Sequence, residues 1–295
     1  MPTLAIQPVA VALAGVLGSV VGSFLNVCIF RLPQKESIVF PGSHCYSCGQ
    51  ELGFVDLIPV FSYLFLRGRC RHCGKPFSAQ YPLVEALTAA LFALAVYYFW
   101  GQWLLATLVA SAGSALIVVF FIDLKHLIIP DEVTAIVWVT GLVRDVYWLA
   151  VGKAGWGAIW FEESYLGGPV RVALPRSLVG TVVGAGLFYA VAWLFERVFR
   201  KESMGGGDIK LAGAVGAWLG PGYQFLSFFL LAVFVGAVIG VVLMALRKKG
   251  RREQIPFGPM MAASALALML WGEPITAFVL RLYTAGAVGA GGGSL

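Results

Sequence analysis

Between Tyr223 and Leu246 no charged side chain interrupts the sequence, and runs of this kind recur along the whole chain. A backbone that crosses hydrocarbon must satisfy its polar groups internally, so each run of about 20 apolar residues can only be a helix. The clearest spans cover residues 9–30, 82–100, 103–122, 132–151, 177–199, 223–246 and 259–280. A short eighth segment, 209–220, is closed by Gly220-Pro221-Gly222. The chain is 59% hydrophobic, 12% charged and has a mean hydropathy of +0.85, more apolar surface than one water-soluble core could cover. The expectation is an all-α, polytopic membrane protein with about eight membrane segments.

Orientation follows from the basic residues, which cytoplasmic loops retain. With residue 1 outside, the inner loops hold Arg31, Lys35, Arg67, Arg69, Arg71, Lys75, Lys125, Arg197, Arg200, Lys201, Lys210 and the cluster between Arg247 and Arg252. The outer segments hold only Lys153, Arg171, Arg176 and Arg281. Both termini are therefore expected outside. The pI near 9.1 reflects this asymmetry and anionic lipid at the inner surface. No nucleic-acid-binding pattern is present. No Lys or Arg precedes Arg31, so the first segment reads as a retained helix rather than a signal peptide. The aromatic outer stretch from Lys153 to Pro175 reads as an interfacial belt, and the tail 284–295 as a glycine-rich end.

The inner loop, 31–81, contains "CYSC" at 45–48 and "CRHC" at 70–73. Paired CxxC motifs bring four thiolates onto one tetrahedral ion, and Gly49 and Gly74 after each pair ease the knuckle turn. In a reducing compartment such a set is a structural zinc site rather than two disulfides. Cys45, Cys48, Cys70 and Cys73 are thus the expected Zn2+ ligands. The four complete the coordination, leaving His44 and His72 as loop histidines, and Cys28 reads as a buried thiol.

Ionisable groups inside apolar spans are costly and mark function. Asp123 lies in "FFIDLKHLIIPDE" and Asp208 in "MGGGDIK", at span ends that share one membrane face under this topology. Two carboxylates at one depth can divide the labour of peptide hydrolysis, one ionised as general base and the other protonated as acid. Gly205 to Gly207 would let an extended substrate backbone approach Asp208, although a glycine loop followed by a helix-starting aspartate explains the same residues. Lys125 and Lys210 either favour an ionised pair or snorkel to headgroups. Arg144 and Asp145, adjacent in the fourth span, do not face each other on a helix and are expected to find partners on other elements.

The ordered blocks "GSFLNVCIFRLP" (22–33), the paired CxxC, "YPLVEAL" (81–87), "FIDLKHLIIPD" (121–131), "GGGDIKLAGAVGAWLG" (205–220) and "IPFGPM" (255–260) resemble the bacterial type IV prepilin peptidases. The resemblance spans nearly the whole chain. It implies a GxGD-type aspartic peptidase of the bacterial inner membrane, with Asp123 and Asp208 catalytic and the four cysteines on metal. Type IV prepilins and type II secretion pseudopilins would be cut at the cytoplasmic face, and S-adenosylmethionine would methylate the new N-terminus. No glycine-rich nucleotide loop locates that donor, and Glu85 is at most a polar contact there, otherwise a solvated helix end. The implied organisation is a first helix (1–30), the four-cysteine loop (31–81), a peptidase core (82–283) and the tail. The competing readings are a non-enzymatic zinc-bearing transporter or scaffold, and a methyltransferase without peptidase activity.

Overall fold

The computed structural model describes residues 3–152, 158–165, 168–200, 204–246 and 256–290. Among the described residues it is mainly helical, apart from one hairpin and the largely non-helical cysteine loop. The helices are α1 (Thr3–Arg31), the short α2 (Phe61–Phe65), α3 (Gln80–Tyr98), α4 (Trp103–His126), α5 (Asp131–Ala150), α6 (Arg176–Phe199), α7 (Gly206–Leu219), α8 (Tyr223–Ala245) and α9 (Gly258–Ala290). Seven of the described helices are long and apolar enough to cross a membrane. The eighth, α7, has 14 residues. At 1.5 Å per residue it reaches about 21 Å, short of the roughly 30 Å hydrocarbon core. The final helix continues to Ala290, so it extends into the segment assigned to a glycine-rich tail.

The stretch after α5 departs from a simple loop. β1 (Ala158–Tyr165) pairs antiparallel with β2 (Gly168–Pro175), with Ala158 opposite Pro175 and Tyr165 opposite Gly168. β1 carries Ile159, Trp160, Phe161 and Tyr165 and β2 carries Val170 and Val172, residues that suit an extended pleat. An interfacial belt of their aromatic side chains lies outside the described residues.

Two compact units divide the chain, residues 1–133 and 134–295. In the first, α1 lies along α3. A Cβ at Gly18 would stand 2.6 Å from the Thr88 carbonyl oxygen, and one at Gly22 2.7 Å from Glu85 Cα. Between apolar helices in lipid there is no hydrophobic force to exploit, so small residues that let backbones touch supply the attraction. Asn26, 2% exposed, adds a polar tie, its Nδ2 donating to the Gly22 and Tyr81 carbonyls.

The second unit repeats the principle. Gly180 and Gly184 of α6 abut Gly216 and Ala212 of α7 so closely that any Cβ would collide with backbone. Around this seam, Phe188 packs against Phe228 and Phe229 of α8 and against Phe257. Arg144 and Asp145 correct the expectation that neighbours on a helix stay apart. The long guanidinium folds back to Asp145 at 2.8 Å. Arg144 also donates to the Trp218 carbonyl at the end of α7 and lies 5.2 Å above the Trp218 ring. Asp145 accepts from the Ser177 backbone N–H in the first turn of α6. A cation thus meets a helix C-terminus and an anion a helix N-terminus, the arrangement each helix dipole favours. With Trp218 Nε1 donating to Thr140 at 2.8 Å, the cluster clamps α5, α6 and α7 together.

Replacing Gly184 by leucine forces α6 from α7. The expected cost is about 1–3 kcal/mol, read as a lower unfolding temperature in detergent, whereas Gly186→Leu, where a Cβ meets nothing within 4 Å, changes it little.

Candidate active site and metal centre

The cysteine loop is built from one motif used twice, 25 residues apart. The Cys45 N–H donates to the Gln50 carbonyl at 2.9 Å, and the Gly49 N–H returns to the Cys45 carbonyl at 2.8 Å. The same bonds link Cys70 to Lys75 at 2.8 Å and Gly74 to Cys70 at 2.9 Å. The frame repeats too, with Leu52 donating to Ser43 and Phe77 to Gly68. Each turn needs one left-handed residue, and Gly49 (φ +72°) and Gly74 (φ +69°) supply it without a Cβ penalty.

Folding the two knuckles together gathers Cys45, Cys48, Cys70 and Cys73, whose sulfur atoms all lie within 4.8 Å of one another. Cys45 and Cys73 Sγ are 3.9 Å apart. A tetrahedral ion with 2.3 Å bonds to sulfur requires an edge of about 3.8 Å, so the donors fit zinc with little adjustment. None of the four is in a disulfide. Burial pushes the Cys45 thiol up, but the Ser47 and Cys48 backbone N–H groups and the neighbouring thiols more than offset it, leaving it at about 7. Cys48 is lowered by the Gln50 backbone yet raised further by desolvation and its neighbour Cys45, reaching about 11.

His44 stands outside the cluster, its Nδ1 within 3.0 Å of the Gly42 carbonyl and its ring 5.2 Å from Tyr46. His72 is exposed. Cys28 is buried in α1. Arg31, 4% exposed, ties the entrance of the loop by donating to the Ser37 and Gly42 carbonyls at 2.9 and 3.2 Å.

Asp123 belongs to the first unit and is 5% exposed, one turn before the end of α4. Its carbonyl accepts from Leu127, which closes the helix at φ +56°. Asp208 belongs to the second unit, in the first turn of α7 and half-buried. Its N–H donates to the Gly205 carbonyl at 3.1 Å. Gly205 itself is extended (φ −68°, ψ 145°), a conformation any residue adopts. The glycines are therefore not demanded by backbone geometry. What they provide is room: a Cβ at Gly206 would meet nothing within 4 Å, and one at Gly205 would meet only the Asp208 carboxylate, at 3.6 Å. Lys125 lies 5.0 Å above the Phe30 ring.

Two sequence profiles match the chain: the Bacterial Peptidase A24 N-terminal domain over residues 16–99 and the Type IV leader peptidase family over residues 110–241. A prepilin leader peptidase/N-methyltransferase of Aeromonas hydrophila is 35% identical, covering 88% of this chain and 90% of its own. The chain belongs to the type IV leader peptidase family. A Pseudomonas putida protein of the same description is 34% identical over 95% of this chain and 97% of its own. A type 4 prepilin-like proteins leader peptide-processing enzyme of Escherichia coli O78:H11 is 36% identical over 86% and 91%. No solved structure matches. Within this family's leader peptidase region lie both aspartates, and within its N-terminal domain lie all four cysteines.

Glu85 is the residue that sequence reasoning undervalued. It is 7% exposed, not a solvated helix end, and its Oε2 accepts from the Val60 N–H at 2.7 Å. Val60 adopts φ +63°, ψ −50°, with the Phe61 N–H bonded to the Pro59 carbonyl at 2.6 Å. This is a γ-turn of the rare positive-φ kind at a β-branched residue, a strained conformation that survives only where its surroundings impose it. Nothing in "LIPVF" signals that turn. The buried carboxylate in "YPLVEAL" was the available clue.

Purified protein should carry one zinc ion per chain by metal analysis. Because the folded thiol of Cys45 lies below its ordinary value, the stability it contributes is full above pH about 9 and is lost as the pH falls through about 7. Zinc affinity should therefore drop steadily between pH 8 and pH 6, measured by competition with a chelator.

Proposed function

We propose that this protein is a membrane aspartic endopeptidase that removes the basic leader of type IV prepilins and type II secretion pseudopilins at the cytoplasmic membrane face and then N-methylates the exposed residue. The observation that carries the reading is similarity along most of the chain to relatives described as prepilin leader peptidase/N-methyltransferase. Support comes from two aspartates in a chain with only 15 acidic residues, one buried near the end of an apolar helix, the other opening a short helix beside unobstructed glycine.

In this mechanism the apolar N-terminal helix of the substrate lies in the bilayer, with its basic leader drawn to the anionic inner surface. The space beside Gly205 and Gly206 admits the extended scissile segment. Of Asp123 and Asp208, the ionised carboxylate takes a proton from water as its oxygen attacks the peptide carbonyl, and the protonated one stabilises the developing oxyanion. The proton then passes to the departing amine nitrogen as the C–N bond breaks. Both termini lie outside, and the cysteine loop lies in the cytoplasm, where zinc on Cys45, Cys48, Cys70 and Cys73 is structural, a closed site with no open position for water. S-adenosylmethionine, when bound, supplies an electrophilic methyl group on a sulfonium centre.

Asp123→Asn and Asp208→Asn should each lower cleavage of a prepilin with a basic leader by at least 10³-fold in liposomes while retaining zinc and fold. Cleavage that persists in either variant removes that residue from catalysis. Lys125→Ala should leave the turnover and pH profile of cleavage unchanged, since its ammonium is engaged by the Phe30 ring.

A further inference from the structure

The chain between α1 and α3 does not stay at the height of the knuckles. Val60 donates its N–H to Glu85, and a Cβ on Gly22 of α1 would stand 2.7 Å from Glu85 Cα. Gly22 precedes Arg31, the last residue of α1, by nine positions, which is about 13 Å of helix. A groove of about 550 Å³ gives a second measure of depth. One side is the α1 stripe Val16, Val20 and Phe24, and the other includes Phe54, Ile58 and Phe61. No charged residue precedes Arg31, so that stripe belongs to the membrane span. We propose that residues 54–66 form a re-entrant element seated in the inner leaflet, with apolar side chains among acyl chains and the following arginines on acidic phospholipid headgroups.

The side chains fit lipid. Phe54, Val55, Phe61, Leu64 and Phe65 are all more than half exposed, with Phe54 and Phe65 above 80%. So dense an apolar surface is unfavourable in water and favourable at the boundary of headgroups and chains. The backbone fits as well, because irregular chain at membrane depth must find its partners within the protein. Pro59 has no N–H. The Phe61, Ser62, Leu64 and Leu66 N–H groups donate to the Pro59, Ile58, Val60 and Ser62 carbonyls. The Val60 N–H ends on Glu85. The buried carboxylate thereby acquires a purpose: it accepts an N–H that hydrocarbon would leave unpaired.

Charge selects the partner. Arg67 and Arg69 are exposed directly after the apolar stretch, and Arg71 is half exposed while paired with Asp56 at 2.9 Å. A basic rim behind an apolar face matches an anionic leaflet. A second copy of the chain seated there would bring like charges together. The preference for acidic headgroups rests on the cytoplasmic placement of the loop proposed above, whereas the depth rests on the contacts with α1 and α3. The element leaves the first knuckle and returns to the second, so it fixes the cysteine module to the membrane at a third point besides those helices.

The test places p-benzoylphenylalanine at Phe54 or Phe65 of the full-length protein, in nanodiscs of phosphatidylcholine and phosphatidylglycerol, and identifies the photo-adduct by mass. Acyl-chain adducts are expected at both positions, as at Val16 of α1, and none at His72, which is exposed in the second knuckle. Both phenylalanines are exposed, so the replacements preserve the fold, which an unchanged unfolding temperature checks. Combining Arg67→Gln with Arg69→Gln should at least halve the share of phosphatidylglycerol among the adducts at position 65. Lipid adducts at Val16 but at neither phenylalanine, cross-links to a second copy in place of lipid, or equally frequent adducts at His72 each overturn the re-entrant element. A phosphatidylglycerol share unchanged by the arginine substitutions overturns the acidic-headgroup assignment. None of these readouts uses leader cleavage, so the result stands apart from the peptidase reading.

Discussion

Hydrocarbon offers no partner to a backbone N–H or carbonyl, and each group left unsatisfied there costs several kcal/mol. That constraint shapes the whole molecule. It makes every span a helix, removes the hydrophobic force between helices, and leaves close backbone contact as the means of holding them together. Gly18 and Gly22 against α3, and Gly180 and Gly184 against α7, are where that contact is made. Among the described residues the longest stretch of irregular backbone is the cysteine module.

The polar clamp around Arg144 and Asp145 obeys the same economy. A buried guanidinium and carboxylate are costly unless every lone pair and proton finds a partner. Here they are matched to each other, to the Trp218 carbonyl, and to the Ser177 N–H, which leaves only the buried Arg144 Nε of the guanidinium without a hydrogen-bond partner. The chain thereby fixes the N-terminus of α6 and the C-terminus of α7, and with them the short helix that presents Asp208. A side-chain cluster far from any substrate in sequence thus sets the frame in which the glycine-flanked aspartate is displayed.

Outside the membrane helices the organising force is different. The loop between α1 and α3 has no large apolar core, and three of its apolar side chains, Phe40, Phe54 and Phe65, are more than 75% exposed. Four converging thiols and a buried arginine at the entrance take the place of that core. Metal binding can supply folding free energy to such a loop directly. The tightly turned backbone at Val60 and the Glu85 carboxylate join this module to the membrane helices.

Features governed by short-range terms were legible in the sequence. Hydrophobic run length placed the seven long helices and the short eighth, and CxxC spacing with a following glycine announced the four-thiol cluster and its left-handed turns. The carboxylates at Asp123 and Asp208 stood out because so few charges interrupt the apolar runs. What the sequence could not disclose were partners chosen across long chain separations. Glu85 meets Val60, Arg144 folds onto Asp145 while reaching Trp218, and Tyr46 comes to rest beside Phe30 and near Tyr81 only after α1 and α3 close at their glycines. Length, polarity and turn chemistry are properties of neighbouring residues and so are written locally. Strain at a valine and a loop drawn down beside membrane helices exist only once packing has decided which distant side chains share a space.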